Sequence, residues 1–334
     1  MHTCRKDDPG LPAPVLQMML ESMRRQMITF QGDCELIIVD LLWEKRRQWF
    51  AELLDQYQRD NPDWTVPVLH VPDRSTPFRD EKLLRICSPK NTGILLARGT
   101  HVVFTDDCQL LPRNGLALLA DWASSGVGAT MCYEKRIYAP EGNGRTTGRD
   151  QRGIHLQVPQ GMGRVVNARD IGFLGGTMSM LPLETLLDLN GWDEGFDGSR
   201  QLEDGDMIIR LAAHGQKMAY ENRTCVIEYE VGAYDEDVVN PNPIKCNGAY
   251  AQWRWKHLHI QANRGYNAET IRRMGWQDCI RLSEDKKCSP HMGECTKLAD
   301  PERLERIFTD PRLTFDLCQE RDEITWENAC DKLR

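Results

Sequence analysis

No apolar run in the chain approaches the roughly 18 to 20 residues that a helix needs to span a bilayer. The N-terminus also lacks the apolar core of a signal peptide. Positive charge is in the minority, because 42 Lys and Arg residues face 50 Asp and Glu residues and give a formal net charge of -8. This balance argues against broad electrostatic binding to nucleic acid or anionic membranes. We therefore expect a soluble, cytoplasmic protein without a transmembrane segment.

Internal repeats and low-complexity tracts are also missing, which argues against solenoid and disordered architectures. The 334 residues are enough for one large or two modest domains, and a hydrophobic content of 40% is enough for a proper core. The chain is therefore long enough to be an enzyme.

The cysteines, 12 in number, do not resemble a disulfide framework. Most stand singly inside apolar segments, as Cys34, Cys87, Cys132 and Cys225 do. This placement is typical of small buried thiols in a reducing compartment, so we expect reduced core cysteines.

One group of potential metal ligands differs from the other cysteines. Cys288, His291 and Cys295, with Cys279 upstream, have the residue types and a plausible spacing for a structural Zn2+. They match no standard finger pattern, so ordinary loop thiols are the commoner interpretation.

Strand and helix patterns alternate through the first two thirds of the chain. Continuous apolar runs predict strands at 35–40, 65–71, 102–104 and 127–133. Helical periodicity predicts helices at 12–27, 43–58, 82–99, 114–124, 183–189 and 207–213. Such alternation favours a mainly parallel sheet with helical crossovers.

Residues 139–170 show no hydrophobic periodicity and are rich in glycine and arginine. Five arginines could clamp an anionic group, although a mobile loop with solvated charge is the commoner explanation. In an enzyme this segment would be the place to look for a lid. The arginines are Arg145, Arg149, Arg152, Arg164 and Arg169.

Two acids, Asp106 and Asp107, follow the predicted strand at 102–104 directly. Acids at the carboxyl end of a strand face the crevice where open α/β sheets bind ligands. Pro112 then restrains the loop. A turn in which these acids only accept backbone hydrogen bonds is the alternative.

A second acidic region begins at Trp192, which Asp193 and Glu194 follow, and continues with Glu203 and Asp204 before a predicted helix. The helix dipole favours acids at this position without any function. That explanation does not account for the aromatic residues that share the loop.

These pieces occur in a characteristic order: a strand ending at Asp40, the stretch 91–99, Asp106 and Asp107, Gly175 and Gly176, the stretch 190–194, and Glu203, Asp204 and Asp206. The order resembles that of the inverting nucleotide-sugar glycosyltransferases of family 2, over roughly residues 11 to 230. The resemblance implies the GT-A fold, an α/β fold with a mainly parallel central sheet flanked by helices. It is carried most specifically by Asn-Gly-Trp-Asp-Glu and the later Glu-Asp pair.

The resemblance also implies a role for each matching residue. Asp204 would be the general base, with Glu203 beside it orienting the base or the acceptor. Asp106 and Asp107 would hold a divalent Mn2+ or Mg2+ ion against the donor diphosphate. Donor or nucleotide contacts would come from Asp40, Lys90, Asn91, Arg98 and Asp106. Acceptor contacts would come from Gly176, Trp192, Asp193 and Glu194, with the Trp192 ring stacking on a sugar.

Two departures from the family pattern affect these expectations. Only Met1–Arg5 stands where a complete first strand should end. Cys108 occupies the place of an acid, and a thiol is a poor ligand for hard divalent cations. His257 or His259 could complete the metal shell, as a histidine does in several relatives, although a lone histidine is more often structural.

The resemblance implies a GT-A domain at 1–235, with a nucleotide-sugar half at about 1–112 and an acceptor half at about 113–235. A mainly helical extension at 236–334 would complete the site. The leading hypothesis is transfer from a nucleotide sugar, a uridine diphosphate sugar first, to a glycan, a lipid-linked sugar, a protein or a modified nucleic acid base. An inactive nucleotide-sugar-binding or scaffold protein is the alternative, and a nucleotidyltransferase is a third possibility.

Overall fold

The structure is a computed structural model that describes residues 2–3, 14–73, 85–137, 145–167, 170, 174–175, 178–193, 196–197 and 203–229. Within these ranges the helices are α1 Val15–Gln26, α2 Trp43–Asp60, α3 Cys87–Leu96, α4 Gly115–Ala123, α5 Arg152–His155, α6 Leu183–Asp188 and α7 Glu203–His214. The strands are β1 His2–Thr3, β2 Leu36–Asp40, β3 Val68–Pro72, β4 His101–Phe104, β5 Gln109–Leu110, β6 Gly128–Ile137, β7 Arg145–Arg149, β8 Gly163–Val165, β9 Ser179–Pro182 and β10 Met218–Tyr229. The α/β class predicted from the alternating pattern is confirmed.

The first three strands form a parallel sheet in the order β1-β2-β3. β2 is central in this sheet, and Ile38 and Val39 are almost completely buried. β1 pairs with the carboxyl end of β2, where His2 lies opposite Val39. A continuous apolar run forms this central strand because both of its faces are covered.

The larger sheet has seven strands, with β4-β9-β6-β10-β5 in order, β7 beside β6 and β8 beside β10. β6 and β10 are parallel, whereas the other pairs in this sheet are antiparallel. The predicted parallel pairing is therefore confirmed for the small sheet and for β6 with β10. Among the described antiparallel pairs, β6 and β7 are consecutive in the chain, whereas β5, β8 and β9 pair with strands that lie beyond other helices or strands.

Strand β10 is the longest strand of the larger sheet, and the sequence pattern did not predict it. Acidic and basic residues interrupt its apolar run. One of them, Glu221, is fully buried because its carboxylate accepts hydrogen bonds from the Trp122 indole at 2.9 Å and from Arg223. Tertiary partners thus allow a charged residue at a buried strand position, which conceals the strand from a hydrophobicity pattern.

The arginine-rich segment also has more structure than the sequence predicted. Its described part contains β7, α5 and β8. Arg152 is not solvated, because its guanidinium pairs with Asp150 and lies near the rings of Tyr133 and Tyr220. Residues 168–169 fall outside the described ranges.

The expectation of reduced core thiols is wrong for one pair of cysteines. Cys132 of β6 and Cys225 of β10 lie opposite each other and form a disulfide. Parallel strands that are distant in sequence bring the two thiols together, which isolated positions in apolar segments do not predict. In the described part of the chain, Cys34, Cys87 and Cys108 take part in no disulfide.

The described helices include none that is both long and apolar enough to cross a membrane. The predicted helical extension at 236–334 lies outside the described residues.

Packing around Gly128 generates a stability prediction. A Cβ atom at Gly128 would lie 2.5 Å from Met218 Sδ and 3.1 Å from the Met180 carbonyl oxygen. We expect Gly128→Ala to lower the free energy of unfolding by about 1 to 3 kcal/mol, because overpacking displaces these neighbours. Gly148→Ala, on β7 with only ordinary contacts, should change it by about 0.5 kcal/mol or less. Urea unfolding of both variants checks this, and equal losses would contradict it.

Candidate active site around helix α3

The N-terminus of α3 is held by an acid from a distant loop. The Asp197 carboxylate accepts hydrogen bonds from the backbone N–H groups of Ile86 and Cys87 at 2.7 Å and of Ser88 at 2.9 Å. These are donors that the helix itself leaves unpaired. Burial raises the pKa of Asp197 to about 6, although the three backbone hydrogen bonds act in the opposite direction.

A second acid supports the same helical turn. Asp73 accepts hydrogen bonds from the hydroxyl groups of Ser88 at 3.0 Å and Thr92 at 2.8 Å, and pairs with Arg85 at 3.0 Å. Sequence reasoning missed both Asp73 and Asp197, since nothing local connects either residue to α3.

Asn91 binds the backbone of Trp192 with both ends of its side-chain amide. The Asn91 Nδ2 group donates to the Trp192 carbonyl, and Asn91 Oδ1 accepts from the Trp192 N–H, both at 2.7 Å. Asn91 has no exposed surface. The prediction that Asn91 contacts the nucleotide stays a prediction, and in this structure the Asn91 amide is used inside the protein.

The Trp192 ring is packed in the interior, with only 3% of the residue exposed. Lys90 Nζ lies 3.9 Å from the ring centroid, and the Phe104 ring makes an edge contact at 5.5 Å. The predicted stacking of this ring on a sugar stays a prediction, and it would require the ring to become exposed. Trp192 instead forms an apolar wall on which the Lys90 ammonium rests.

The Lys90 ammonium lies near three of the predicted acids, Asp106, Glu203 and Asp204. Its Nζ atom lies 3.6 Å from Asp204 Oδ1, and its side chain is only 10% exposed. Burial lowers the pKa of Lys90, but Asp204, Asp106 and Glu203 together raise it above its ordinary value. Lys90 therefore stays protonated at neutral pH.

Glu203 and Asp204 occupy the first turn of α7. Glu203 is buried, and burial followed by the charge of Asp204 raises its pKa to about 8. Glu203 is therefore mostly protonated at neutral pH. Asp204 is more accessible, with 29% of its side chain exposed.

Gly175 lies against the Asp204 side chain, because a Cβ atom at Gly175 would approach Asp204 Cβ to 3.2 Å. A cavity of about 10 Å³ adjoins Gly175, Ser179, Trp192 and Asp204, which is about the room that one water molecule requires. Any side chain at position 175 would close this approach to the acid.

The turn before Trp192 is attached to α7. Arg210 pairs with Asp206 at 2.6 Å and donates to the carbonyl oxygens of Leu189 and Gly191. Asn190 and Gly191 have φ angles of 60° and 73°, in the left-handed region that suits this residue pair. Asp206 thus has a structural function that the sequence did not reveal.

The acids after β4 occupy a tight turn. The Gln109 N–H donates to the Asp106 carbonyl, and the Asp106 N–H donates to Gln109 Oε1, both at 3.2 Å. Asp106 is half-buried, whereas Asp107 and Cys108 are buried. The part of the chain that the structure describes contains no group of three His, Cys, Asp or Glu residues that could hold a metal by itself.

Two predicted nucleotide contacts are engaged elsewhere in the protein. The buried Asp40 carboxylate accepts from the Leu42 N–H at 2.8 Å and lies 3.0 Å from His70 Nε2. Arg98 pairs with Glu35 through its backbone N–H and its guanidinium. Nucleotide binding by Asp40 or Arg98 would require these contacts to open.

The remaining predicted residues cannot be placed in the site. Asp193 is buried at 1% exposure. The others lie outside the described residues, namely Gly176, Glu194, His257, His259 and the proposed zinc ligands Cys279, Cys288, His291 and Cys295.

The Asn91 contacts generate a second stability prediction. Asn91→Leu keeps a similar volume but leaves the buried N–H and carbonyl of Trp192 without partners. We expect a loss of about 2 to 4 kcal/mol in the free energy of unfolding. Asn61→Leu removes one half-buried hydrogen bond, to the Tyr57 carbonyl, and should cost about 1 kcal/mol. Urea unfolding measures both, and similar losses for the two variants would argue against a special role for Asn91.

A third prediction concerns the pH dependence of stability. The pKa of Glu203 is about 8 in the folded protein and 4.5 ordinarily, so the folded chain keeps a proton that the unfolded chain loses. Between about pH 5 and pH 8 this makes unfolding easier as the pH rises. Glu203→Gln should remove that part of the decline in urea midpoints, whereas Glu184→Gln at an exposed position should not. An unchanged slope in Glu203→Gln would contradict the assignment.

The comparisons with known proteins found similarity of structure only. No protein-family model and no curated protein matches the chain. Among solved structures, it is similar to S. aureus TarS in complex with UDP-GlcNAc, with 12% identity, a TM-score of 0.49, and coverage of 95% of this chain and 85% of that chain. It is also similar to GalNAc-T7 with UDP, GalNAc and Mn2+, with 12% identity, a TM-score of 0.43, and coverage of 77% and 49%. The mannosyltransferase PcManGT from Pyrobaculum calidifontis, in complex with GDP-Man and Mn2+, has 14% identity, a TM-score of 0.43, and coverage of 85% and 72%. The chain spans 40% of a longer TarS structure, so it corresponds to less than half of that protein and of GalNAc-T7.

Proposed function

We propose that the chain is an inverting glycosyltransferase of the GT-A fold, which transfers a sugar from a uridine diphosphate sugar to an acceptor hydroxyl. One observation carries the proposal: Lys90, Asp106, Glu203 and Asp204 come from three separate motifs and meet in one charge cluster. Their common neighbour is the wall formed by Trp192.

In the proposed reaction, the acceptor oxygen forms a bond to the anomeric carbon of the donor while the bond from that carbon to the diphosphate breaks. The acceptor approaches from the face opposite the diphosphate, so the configuration inverts. Asp204 takes the hydroxyl proton, a role for which its partly exposed carboxylate is accessible. The electron pair of the broken bond leaves with the diphosphate.

Lys90 and Glu203 are proposed to set the electrostatics of this step. The Lys90 ammonium offsets negative charge in a site with little water, where such an interaction is strong. Glu203 holds a proton at neutral pH, so it adds no second negative charge beside Asp204 and can donate a hydrogen bond. This supports its role as the residue that orients the base or the acceptor.

A divalent metal fits this donor set if it arrives with the substrate. Mg2+ is usually held by one or two carboxylates together with substrate phosphates, so a complete protein cage is not required. Asp106 and Asp107 would supply the carboxylates, and the bound ion would neutralise charge on the departing diphosphate.

An inactive nucleotide-sugar-binding protein is the second candidate. The buried Trp192 ring favours it, because this ring presents no exposed face to a sugar.

The test measures donor turnover with UDP-GlcNAc, UDP-GalNAc, UDP-glucose, UDP-galactose and GDP-mannose, in Mn2+ and in chelator. We expect hydrolysis or transfer with at least one donor, loss of turnover in chelator, and a drop of about 10²- to 10⁴-fold in Asp204→Asn, because a general base contributes about this much. Asp188→Asn is the matched control, since Asp188 is an exposed acid on the neighbouring helix α6.

Three results would separate the candidates. Turnover that falls only in Asp204→Asn supports the transferase. Binding of a nucleotide sugar without any turnover by the wild type supports the inactive binding protein. Release of pyrophosphate in place of a nucleoside diphosphate would favour a nucleotidyltransferase and contradict the proposal.

A further inference from the structure

A cavity of about 450 Å³ lies beside the disulfide that joins β6 and β10. Its wall is completed by Tyr133 of β6, Asn222 of β10, Ile154 of α5, and residues 157–160 of the turn that follows α5. The volume falls within the range of about 300 to 1,000 Å³ that is typical of small-molecule sites. Nothing in the proposed transfer step uses this cavity.

The wall offers the groups that recognise a sugar. Tyr133 and Ile154 supply apolar surface, and Ile154 is 71% exposed although it is a large aliphatic residue. Gln157 and Gln160 are exposed, whereas the Nδ2 group of the half-buried Asn222 is already used, because it donates to the Val158 carbonyl at 2.8 Å. An amide both donates and accepts hydrogen bonds, as a sugar hydroxyl does, and an apolar side chain covers the C–H face of a sugar ring.

Each charged side chain of the wall lies beside a group of opposite charge. Glu134 accepts from Arg136 at 2.8 Å and lies 3.5 Å from Arg149, which also lines the cavity. Asp150 pairs with Arg152. The wall therefore favours a neutral ligand over a phosphate or a cation.

Gln157 has an unusual backbone conformation for its residue type. Its φ angle of 53° lies in the left-handed region, at the end of α5 where glycine is the usual residue. The Val158 N–H fixes this conformation through a 2.8 Å bond to the Gly153 carbonyl. Residues held in unfavourable backbone regions cluster at ligand sites, where the side chain is needed.

The cavity connects physically to the proposed base. Arg152, which is paired with Asp150 in the wall, donates to the Gly175 carbonyl at 3.1 Å, and Gly175 lies against Asp204. Arg152 thus stands between the cavity and the charge cluster around Lys90. A ligand in the cavity would lie on the side of Arg152 away from the reacting group.

We propose that this cavity binds a neutral sugar unit of the acceptor, beyond the unit that receives the transferred sugar. The inference extends the proposed function, and the description of the sugar as part of an acceptor rests on that function. The binding of a neutral saccharide to the cavity can be tested independently.

The test measures binding of neutral trisaccharides by ligand-observed NMR and calorimetry, without donor or metal. Maltotriose, cellotriose and fully N-acetylated chitotriose are the probes. We expect one of them to bind, and Gln157→Ala and Ile154→Ser to weaken its binding by roughly threefold to tenfold, as the loss of one hydrogen bond or apolar contact predicts. Gln48→Ala, at an exposed glutamine of α2, is the control and should bind as the wild type does.

Gln157→Gly adds a readout that separates binding from folding. Glycine relieves the left-handed backbone, so the thermal midpoint should rise by about 2 °C while saccharide binding weakens as in Gln157→Ala. A variant that is more stable and binds less cannot be explained by misfolding. A glycine variant that binds as well as the wild type would contradict the proposal.

The remaining outcomes are also decisive. No binding of any neutral trisaccharide by the wild type, or binding that ignores Gln157 and Ile154, overturns the cavity assignment. If binding depends on these residues but the protein turns over no nucleotide sugar, the result supports saccharide binding in the cavity and contradicts the transferase proposal.

Discussion

The candidate site depends on the hydrogen bonds that Asp197 accepts from the N-terminus of α3. Asp197 lies 110 positions after Cys87, and the residue at the helix N-cap, Ile86, has no polar side chain with which to cap the helix. The long-range carboxylate fixes the start of α3 and therefore the positions of Lys90 and Asn91. Without it, two buried N–H groups and one half-buried N–H group would lose their partner, which is costly in an apolar interior.

Helix α3 then organises the rest of the cluster through two adjacent residues. Asn91 holds the backbone of the loop at Trp192, and Lys90 lies over the ring of the same residue. The loop, the ring and the ammonium thus occupy fixed relative positions. Asp204 enters this arrangement from α7, which Arg210 ties to the turn before Trp192. Such support is what a site needs to hold reacting groups precisely.

The buried charges around Lys90 affect the protonation of Glu203. One ammonium serves Asp106, Glu203 and Asp204, so the acids cannot all be ionised cheaply in a desolvated cluster. Burial, followed by the charge of Asp204, raises the pKa of Glu203, and its protonation resolves this conflict. Strongly perturbed pKa values of this kind cluster at functional sites.

The local sequence pattern predicted which segments form helices and strands, and it showed that acidic residues lie near the ends of these elements. The buried run of β2, the strand before Asp106 and the helix beginning near Glu203 were all visible, because burial of one face or of a whole strand leaves a periodic signal. The same signal failed at β10, where Glu221 is buried with partners that lie elsewhere in the chain.

The sequence by itself determined the α/β class and the presence of acidic residues near the ends of strands and helices. Only the tertiary structure decided that Asn91 and Trp192 hold each other, that Asp197 caps α3, and that Cys132 meets Cys225. These partners are 101, 110 and 93 positions apart. Their pairing depends on how the sheets and helices pack, and a local periodicity reports the burial of a residue but not the identity of the group that meets it.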